Sequence, residues 1–148
     1  MEKFVDVILP LPLHACFTYS LPEDIAESVQ IGCRVVVPFG RKKYYTAIVQ
    51  NIHYSAPAGY EVKEVSALLD AHPILLPEQF RFWDWLADYY LCTRGDVYKA
   101  ALPSGLKLES ETIVEYNPDF ESDVQLPEKE QKILDLLAAE PEQCITKL

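Results

Sequence analysis

The chain has 148 residues and a formal net charge of -10, and 49% of its residues are apolar. This length suits one full domain and the start of a second. No apolar run reaches the ~18 residues that a membrane span needs, and the acidic N-terminus lacks the pattern of a signal peptide. The four cysteines are widely spaced without a CxxC motif, so they are expected to be free thiols in a cytoplasmic protein.

The negative charge is concentrated in the C-terminal part. Residues 1–107 contain 12 acidic and 10 basic residues, whereas residues 108–148 contain 11 acidic and 3 basic residues. Local positive patches decide phosphate binding, and an acidic tail is partly screened beyond about 10 Å. The net charge therefore does not exclude nucleic acid, although residues 1–107 are not basic enough to predict tight non-specific duplex binding.

Five segments in the first part predict short β-strands. Each alternates apolar or aromatic with polar residues, or is rich in β-branched residues, and Gly- or Pro-containing turns separate them. The segments are 3–9, 16–21, 33–38, 44–54 and 62–69. Pro10 and Pro12 hold the chain extended after the first strand and exclude a central strand there. Together with the helices that follow, they predict an α+β fold built on a small, mainly antiparallel β-barrel or sandwich.

A helical pattern begins at Pro77, where proline suits the first turn. Apolar residues then recur at helical spacing, and Phe82, Trp85, Leu86 and Tyr89 widen the apolar face, which predicts a packed amphipathic helix that is largely buried. Gly95 is expected to end this helix, and a second short helix is expected at 96–101. Residues 111–116 predict one more strand, and another helix is expected between Pro127 and Pro141. A lone helix cannot bury its apolar face, so the chain is expected to end inside an incomplete second domain.

No catalytic or metal-binding motif is recognisable. The chain has neither a GxxxxGK[ST] nor a GxGxxG sequence, and its three histidines are scattered without ligand spacing. Cys16 and His14 share a strand face and are a possible Cys–His pair, but cysteines at such positions usually serve as small apolar fillers. Asp84 and Asp88 lie four residues apart on the helix, where a solvated polar stripe explains them.

The segment VPFG at 37–40, followed by Arg41, Lys42 and Lys43, suggests a ligand contact. A glycine lets the backbone approach a ligand closely, and neighbouring basic side chains can hold a phosphate. An ordinary hairpin turn with solubilising charges explains the same residues, and the residues themselves leave both interpretations open.

Four runs carry a resemblance to a known family: DVILPLPLHACFTYSLP, GCRVVVPFGRKKYYTAIV, VKEV and WLADYYLCTRGDVYKAALP. In order and spacing, residues 4–103 resemble the N-terminal domain of the PriA family of replication-restart helicases (primosomal protein N′). The run PEKEQKILDLL is similar to the first helix of the winged-helix domain that follows in that family. The resemblance therefore implies a 3′-end DNA-binding domain at 1–107, a strand and acidic linker at 108–126, and the truncated start of a winged-helix domain at 127–148.

In that family the first domain recognises the 3′ end of a nascent leading strand at a replication fork. The resemblance implies forked or single-stranded DNA with a free 3′ end as partner, with primosome and single-strand-binding proteins as partners of the full-length protein. No cofactor is expected in this chain, because ATP, Mg and Zn belong to the helicase portion of the family. The expected location is the bacterial cytoplasm, at the nucleoid.

The family's 3′-end pocket maps onto Phe17, Thr18, Gly40 and Lys63. A phenylalanine ring can stack on a terminal base, which stabilises binding by ~1–3 kcal/mol without selecting a sequence. Phe17 is equally explained as a core residue, and Lys63 as a solvated surface residue. The family commonly has aspartate at position 18. Because threonine carries no charge, we expect weaker or less hydroxyl-dependent end recognition here.

Arg34, Arg41, Lys42 and Lys43 are the candidate phosphate contacts near this pocket, with solubilising charge on a hairpin as the alternative.

Two other functions stay open. One is a protein-interaction module of the primosome with weak DNA binding, in which the acidic stretch 109–130 docks a basic partner. The other is a cysteine hydrolase, which is disfavoured because no base or oxyanion motif stands near any cysteine.

Overall fold

The computed structural model describes residues 2–57, 59, 61–108, 113–115, 117, 127–139 and 142–144. The chain forms two compact units, Met1–Glu109 and Ser110–Leu148. In the first unit the strands are β1 (Phe4–Ile8), β2 (Phe17–Ser20), β3 (Arg34–Phe39), β4 (Lys43–His53) and β5 (Ala67–Leu68), and the helices are α1 (Pro77–Tyr90) and α2 (Arg94–Ala101), followed by a 3₁₀ turn at Ser104–Leu106.

The five strands form one sheet in the order β2-β1-β4-β3-β5, and every neighbouring pair is antiparallel. The α+β class is thus confirmed. The sheet is not closed, so a complete barrel does not form: among the described residues, a single parallel bridge, Ser20 to Glu64, links the β2 edge to the segment before β5.

That segment also explains why the fifth strand is shorter than predicted. Its start bonds to the β2 edge, where the Ser20 N–H donates to the Lys63 carbonyl at 3.0 Å. Its end bonds to the opposite edge, where the Ser66 N–H donates to the Val36 carbonyl at 2.8 Å. Residues 62–69 are therefore shared between two edges, and only Ala67–Leu68 forms a ladder with β3.

Each face of the sheet has its own apolar cluster. The first contains Val5, Val7 and Tyr19 together with side chains from β3 and β4. The second contains Ile8 and Ile48, on the opposite face, packed against the two helices. Side chains alternate between faces along a strand, so one sheet supports a cavity on one side and helices on the other.

Helix α1 begins at Pro77, as predicted, and the Gln79 side chain accepts a hydrogen bond from the Leu76 N–H at 2.8 Å. Trp83 of α1 is buried and stacks on Tyr98 of α2, with ring centroids 5.8 Å apart. The Tyr98 hydroxyl donates to the carbonyl of Thr46 in β4 at 2.8 Å. These contacts fix both helices on the second face of the sheet. The prediction that α1 is largely buried is wrong, because only one side of the helix meets the sheet and Phe82, Trp85 and Tyr89 are more than half exposed.

Gly95 does not end α1, in contrast to the prediction. Helix α1 ends at Tyr90, with Leu91 as its C-cap, and α2 starts at Arg94 with Thr93 and Asp96 forming a reciprocal capping box. Gly95 lies in the first turn of α2, where a Cβ atom would stand 1.8 Å from the carbonyl oxygen of Leu11. The glycine is required for close approach to the chain after β1, not for termination of a helix.

The second unit contains β6 (Ile113–Glu115), α3 (Glu128–Ala139) and β7 (Glu142–Cys144), with β6 antiparallel to β7. The predicted strand at 111–116 and the predicted helix after Pro127 correspond to β6 and α3. Most of the acidic linker and of the stretch 109–130 lies outside the described residues. Of the helices that the structure describes, none has the length and apolar character to cross a bilayer.

Candidate nucleic-acid interface

A cavity of about 180 Å³ opens between the start of β2, the end of β3 and the segment before β5. This volume is far more than the ~10–15 Å³ that one water requires. All four residues predicted for the 3′-end pocket contribute to its wall. The lining residues are Phe17, Thr18, Tyr19, Pro38, Phe39, Gly40, Glu61 and Lys63.

Phe17 is half-buried and both packs on the first apolar cluster and lines the cavity. Its ring meets the Phe39 ring edge to face, with centroids 5.1 Å apart at 80°. The Phe39 ring in turn packs edge to face against the Tyr45 ring, with centroids 6.2 Å apart. The two interpretations of Phe17 from the sequence are therefore compatible, because one ring is held by core packing while part of it borders open space.

Gly40 and Lys63 are in direct contact across the cavity. The Lys63 ammonium donates a hydrogen bond to the Gly40 carbonyl at 2.7 Å. An ammonium has three donors, so two remain for a ligand. Gly40 has a φ of +71°, and an added Cβ atom would meet no protein atom within 4 Å. At this turn the backbone is therefore open to close approach by a bound group.

Thr18 lines the cavity, but its hydroxyl points toward the neighbouring strand β1. Its Oγ1 donates to Asp6 Oδ1 at 2.7 Å, which leaves the hydroxyl only its acceptor capacity for a ligand. Asp6 also accepts from Asn51 and from His53, each at 3.2 Å. Burial opposes the charged carboxylate, but these three hydrogen bonds outweigh it and lower the pKa of Asp6. A carboxylate therefore stands one strand behind the position where the family commonly has aspartate.

Sequence reasoning missed four lining residues: Tyr19, Pro38, Phe39 and Glu61. The first three had a signal, because they belong to the aromatic-x-Tyr strand and to the VPFG motif. The Tyr19 hydroxyl donates to the Pro38 carbonyl at 3.1 Å, which ties β2 to β3 across two intervening strands. Glu61 had no signal beyond its place two residues before Lys63.

Among the predicted phosphate contacts, Arg34 differs from the others. Its guanidinium forms a bidentate pair with Asp70, at 2.6 Å between Nη2 and Oδ1 and 2.9 Å between Nε and Oδ2. Only 14% of the Arg34 side chain and 9% of the Asp70 side chain are exposed. Arg34 thus has a structural role in this state, and a phosphate contact would require this pair to open.

Arg41 and Lys42 occupy the exposed turn between β3 and β4, directly after Gly40, and Lys43 is the exposed first residue of β4. None of the three lines the cavity itself, although they directly follow Gly40 of its wall in the chain. Such side chains contact phosphates without reading sequence.

A second cavity, of about 540 Å³, brings His14, Cys16 and Cys92 together with Asp84 and Asp88. Its chemistry does not favour a thiolate nucleophile, because desolvation raises the pKa of the Cys16 thiol. The Cys16 thiol donates to Gln50 Oε1 at 3.0 Å, and Asp84 pairs with Arg94 at 2.6 Å. Within the described part of the chain, no group of three or more His, Cys, Asp and Glu side chains is arranged to hold a metal ion.

The chain matches two family models. One is described as 3′DNA-binding domain (3′BD) and matches residues 6–103; the other is a winged helix domain and matches residues 111–148. The first model contains every residue of the cavity wall. It describes a DNA-binding domain.

Curated relatives point to the same family. The chain is 38% identical over 108 residues to "Replication restart protein PriA" of Haemophilus influenzae, which covers 71% of the chain and 14% of that protein. It is 32% identical over 120 residues to the protein of the same name from Bacillus subtilis, covering 80% and 15%. The chain thus spans about one seventh of the length of these relatives. Because the 3′DNA-binding domain model covers well over half of its residues, the chain belongs to the 3′DNA-binding domain family of replication restart protein PriA.

Proposed function

We propose that the chain binds the 3′ terminus of the nascent leading strand at replication forks, as the DNA-binding module of a replication-restart helicase. The observation that carries this proposal is the shared cavity of Phe17, Thr18, Gly40 and Lys63 inside the matched region. These side chains come from three separate segments, so the fold, not the sequence, brings them together. The full-length protein would act in the bacterial cytoplasm with primosome and single-strand-binding proteins.

The lining offers three kinds of contact to a terminal nucleotide. The Phe17 ring provides a stacking surface, which suits any base because every base has a π-face. Lys63 provides two unused ammonium donors beside the Gly40 backbone. Gly40 lets the sugar come close to the main chain, since glycine has no side chain and an added Cβ atom would meet no other protein atom within 4 Å. None of these contacts reads a base sequence, which fits recognition of an end.

Glu61 supplies a reason why an end is preferred over an internal position. Its carboxylate lines the same cavity and repels a phosphate group. An internal nucleotide carries a phosphate on its 3′ oxygen, whereas a terminal nucleotide carries a hydroxyl, which can donate to a carboxylate. The cavity therefore favours a free 3′-hydroxyl over a 3′-phosphate.

The test compares forked DNA with a 3′-hydroxyl and with a 3′-phosphate at the nascent-strand end, using fluorescence anisotropy on the full chain. The expected result is about ten-fold tighter binding of the hydroxyl end, corresponding to ~1.4 kcal/mol. Glu61→Gln should reduce this preference, and Lys63→Ala should weaken binding of the hydroxyl end.

Lys99→Ala is the matched control, because Lys99 is exposed on α2 and lies outside the cavity. This variant should bind both ends like the wild type. Equal affinity of the wild type for the two ends would contradict end recognition. An undiminished preference in Glu61→Gln together with unchanged affinity for the hydroxyl end in Lys63→Ala would place the site elsewhere.

A further inference from the structure

A second surface lies on α1, away from the cavity face of the sheet. Its inward side carries Trp83 and Ala87, which pack into the second apolar cluster. Its outward side carries Phe82, Trp85, Tyr89 and Tyr90, with Leu91 at the helix end. These five residues, called here the aromatic face, are 55%, 54%, 66%, 67% and 92% exposed.

The aromatic face is an ordered stack of rings. The centroids of Phe82 and Trp85 are 6.0 Å apart with an interplanar angle of 12°, and those of Trp85 and Tyr89 are 5.1 Å apart at 21°. Tyr90 meets Tyr89 edge to face at 5.0 Å. Contiguous exposed apolar surface of this kind marks interaction sites, and Trp and Tyr dominate the energetics of protein interfaces.

The end of α1 is electrostatically unbalanced. The carbonyl end of a helix carries partial negative charge and is stabilised by basic residues, yet its last turn carries Asp88 and neither Lys nor Arg. The other charged residues of α1 are paired, Glu78 with Arg81 at 3.4 Å and Asp84 with Arg94 at 2.6 Å. Within the described residues, Asp88 has no such partner.

Two further features place a carboxylate that can pair with a cation beside the rings. Asp88 lies three residues after Trp85, so the two are neighbours on the helix surface. Asp88 also lines the cavity of about 540 Å³ next to α1, whose lining also includes the Asp84–Arg94 pair and His14. A basic side chain entering there would meet the Asp88 carboxylate near the carbonyl end of the helix, while the rings lie beside the cavity and not in its wall.

We propose that the aromatic face and the cavity beside Asp88 bind a protein segment that carries Arg or Lys next to apolar side chains. The basic group pairs with Asp88, and the apolar side chains cover Trp85 and Tyr89. A nucleic acid strand is disfavoured here, because its phosphates would face the uncompensated carboxylate and the helix carbonyl end. This inference is independent of the 3′-end cavity, which lies on the other face of the sheet.

The test is selection of a random dodecapeptide display library on the immobilised full chain, with counter-selection on the Tyr89→Ser variant. Selected peptides should be enriched in Arg or Lys next to Leu, Ile or aromatic residues. A synthetic peptide of the selected sequence should bind about ten-fold more weakly to Tyr89→Ser and about three-fold more weakly to Asp88→Asn. Tyr54→Ser is the matched control, since Tyr54 is 56% exposed outside the aromatic face, and it should bind like the wild type.

Several results would overturn the proposal. They are no enrichment, enrichment of acidic peptides, or peptide binding that survives Tyr89→Ser. Loss of single-stranded DNA binding in Tyr89→Ser, without peptide binding by the wild type, would assign the face to nucleic acid. Self-association that Tyr89→Ser abolishes in sedimentation would assign it to a second copy of the chain. Because Tyr89 is largely exposed, its replacement should leave thermal unfolding almost unchanged.

Discussion

Gly40 is the residue at which the cavity wall consists of bare backbone. Its φ of +71° lies in the left-handed region, and a Cβ atom built on this residue would have no other protein atom within 4 Å. An alanine there would be strained by ~1 kcal/mol in any case, but it would not collide with the protein. The methyl group would instead occupy space that the proposed ligand needs.

We therefore predict that Gly40→Ala lowers the free energy of unfolding by ~1 kcal/mol and weakens binding of a 3′-hydroxyl end by about ten-fold. Urea unfolding followed by tryptophan fluorescence measures the first effect, since Trp83 and Trp85 both lie in the first unit. Anisotropy measures the second. Gly59→Ala is a matched control with φ +99° and open space, outside the cavity wall. Similar loss of affinity in both variants would show that strain, not occlusion, weakens binding.

At the residue scale, the sequence indicated a set of residues that share one cavity, but not the hydrogen-bond partner of each side chain. Phe17 and Gly40 lie in recognisable motifs, so the resemblance assigned them to one site, and both line the same cavity. The hydroxyl of Thr18 could not be assigned, because its partner Asp6 depends on the register between β1 and β2. The sequence indicated Arg34 as a phosphate contact or a solubilising charge, and its partner Asp70 could not be predicted because it lies distant in sequence.

The Arg34–Asp70 pair acts at the scale of elements. It joins the start of β3 to the chain after β5, and Arg34 also donates to the Leu106 carbonyl at 2.9 Å in the 3₁₀ turn. Hydrogen bonds from the Arg34 side chain hold the pKa of the Asp70 carboxyl below its usual value of 3.8. Three elements are thereby fixed around one largely buried ion pair.

Asp70→Asn should lower the free energy of unfolding by ~2–3 kcal/mol at pH 7, because it leaves a poorly exposed guanidinium without its counter-charge. A lowered native pKa means that the carboxylate stabilises the fold above its unfolded pKa and that this stabilisation is lost as pH falls through the native pKa. The difference between wild type and variant should therefore shrink below pH 4, when urea unfolding is followed by tryptophan fluorescence.

The ion pair between Lys3 and Glu27, in which the carboxylate is exposed, provides the control for this experiment. The Glu27 side chain is 87% exposed, so Glu27→Gln should change stability little at either pH. An Asp70→Asn variant as stable as the wild type at pH 7 would show that the pair contributes nothing to the fold.

Elements with a strong local pattern were predictable, and those set by distant contacts were not. The strands β1 to β4 and helix α1 follow from alternation, β-branched runs and helical spacing within a few residues of the predicted bounds. The short β5 depends on the sharing of residues 62–69 between two sheet edges. The start of α2 was missed because Gly95 serves a contact with Leu11, which no local pattern reveals.

At the scale of the whole molecule, most of the net negative charge belongs to residues 108–148, whereas the proposed site belongs to residues 1–107. The first 107 residues hold 10 basic residues against 12 acidic ones, and the three consecutive cations sit at the turn beside Gly40. A domain of this composition binds DNA through a few local contacts, not through a broad positive surface. Affinity should then depend on salt only as strongly as the number of those contacts allows.

The last prediction concerns these contacts. Replacing Arg41, Lys42 and Lys43 together by alanine should make the log–log dependence of affinity on salt shallower by ~2, because each phosphate contact to a single strand contributes ~0.7 to the slope. Anisotropy titrations with a single-stranded oligonucleotide between ~50 and ~200 mM salt measure this. Arg81→Ala with Lys99→Ala is the control, since both cations lie on helices of the opposite sheet face, and it should keep the wild-type slope. The preference for a 3′-hydroxyl should persist in the triple variant, because the cavity wall is intact. An unchanged slope would remove the turn from the DNA path while leaving the end-binding cavity to be judged by its own variants.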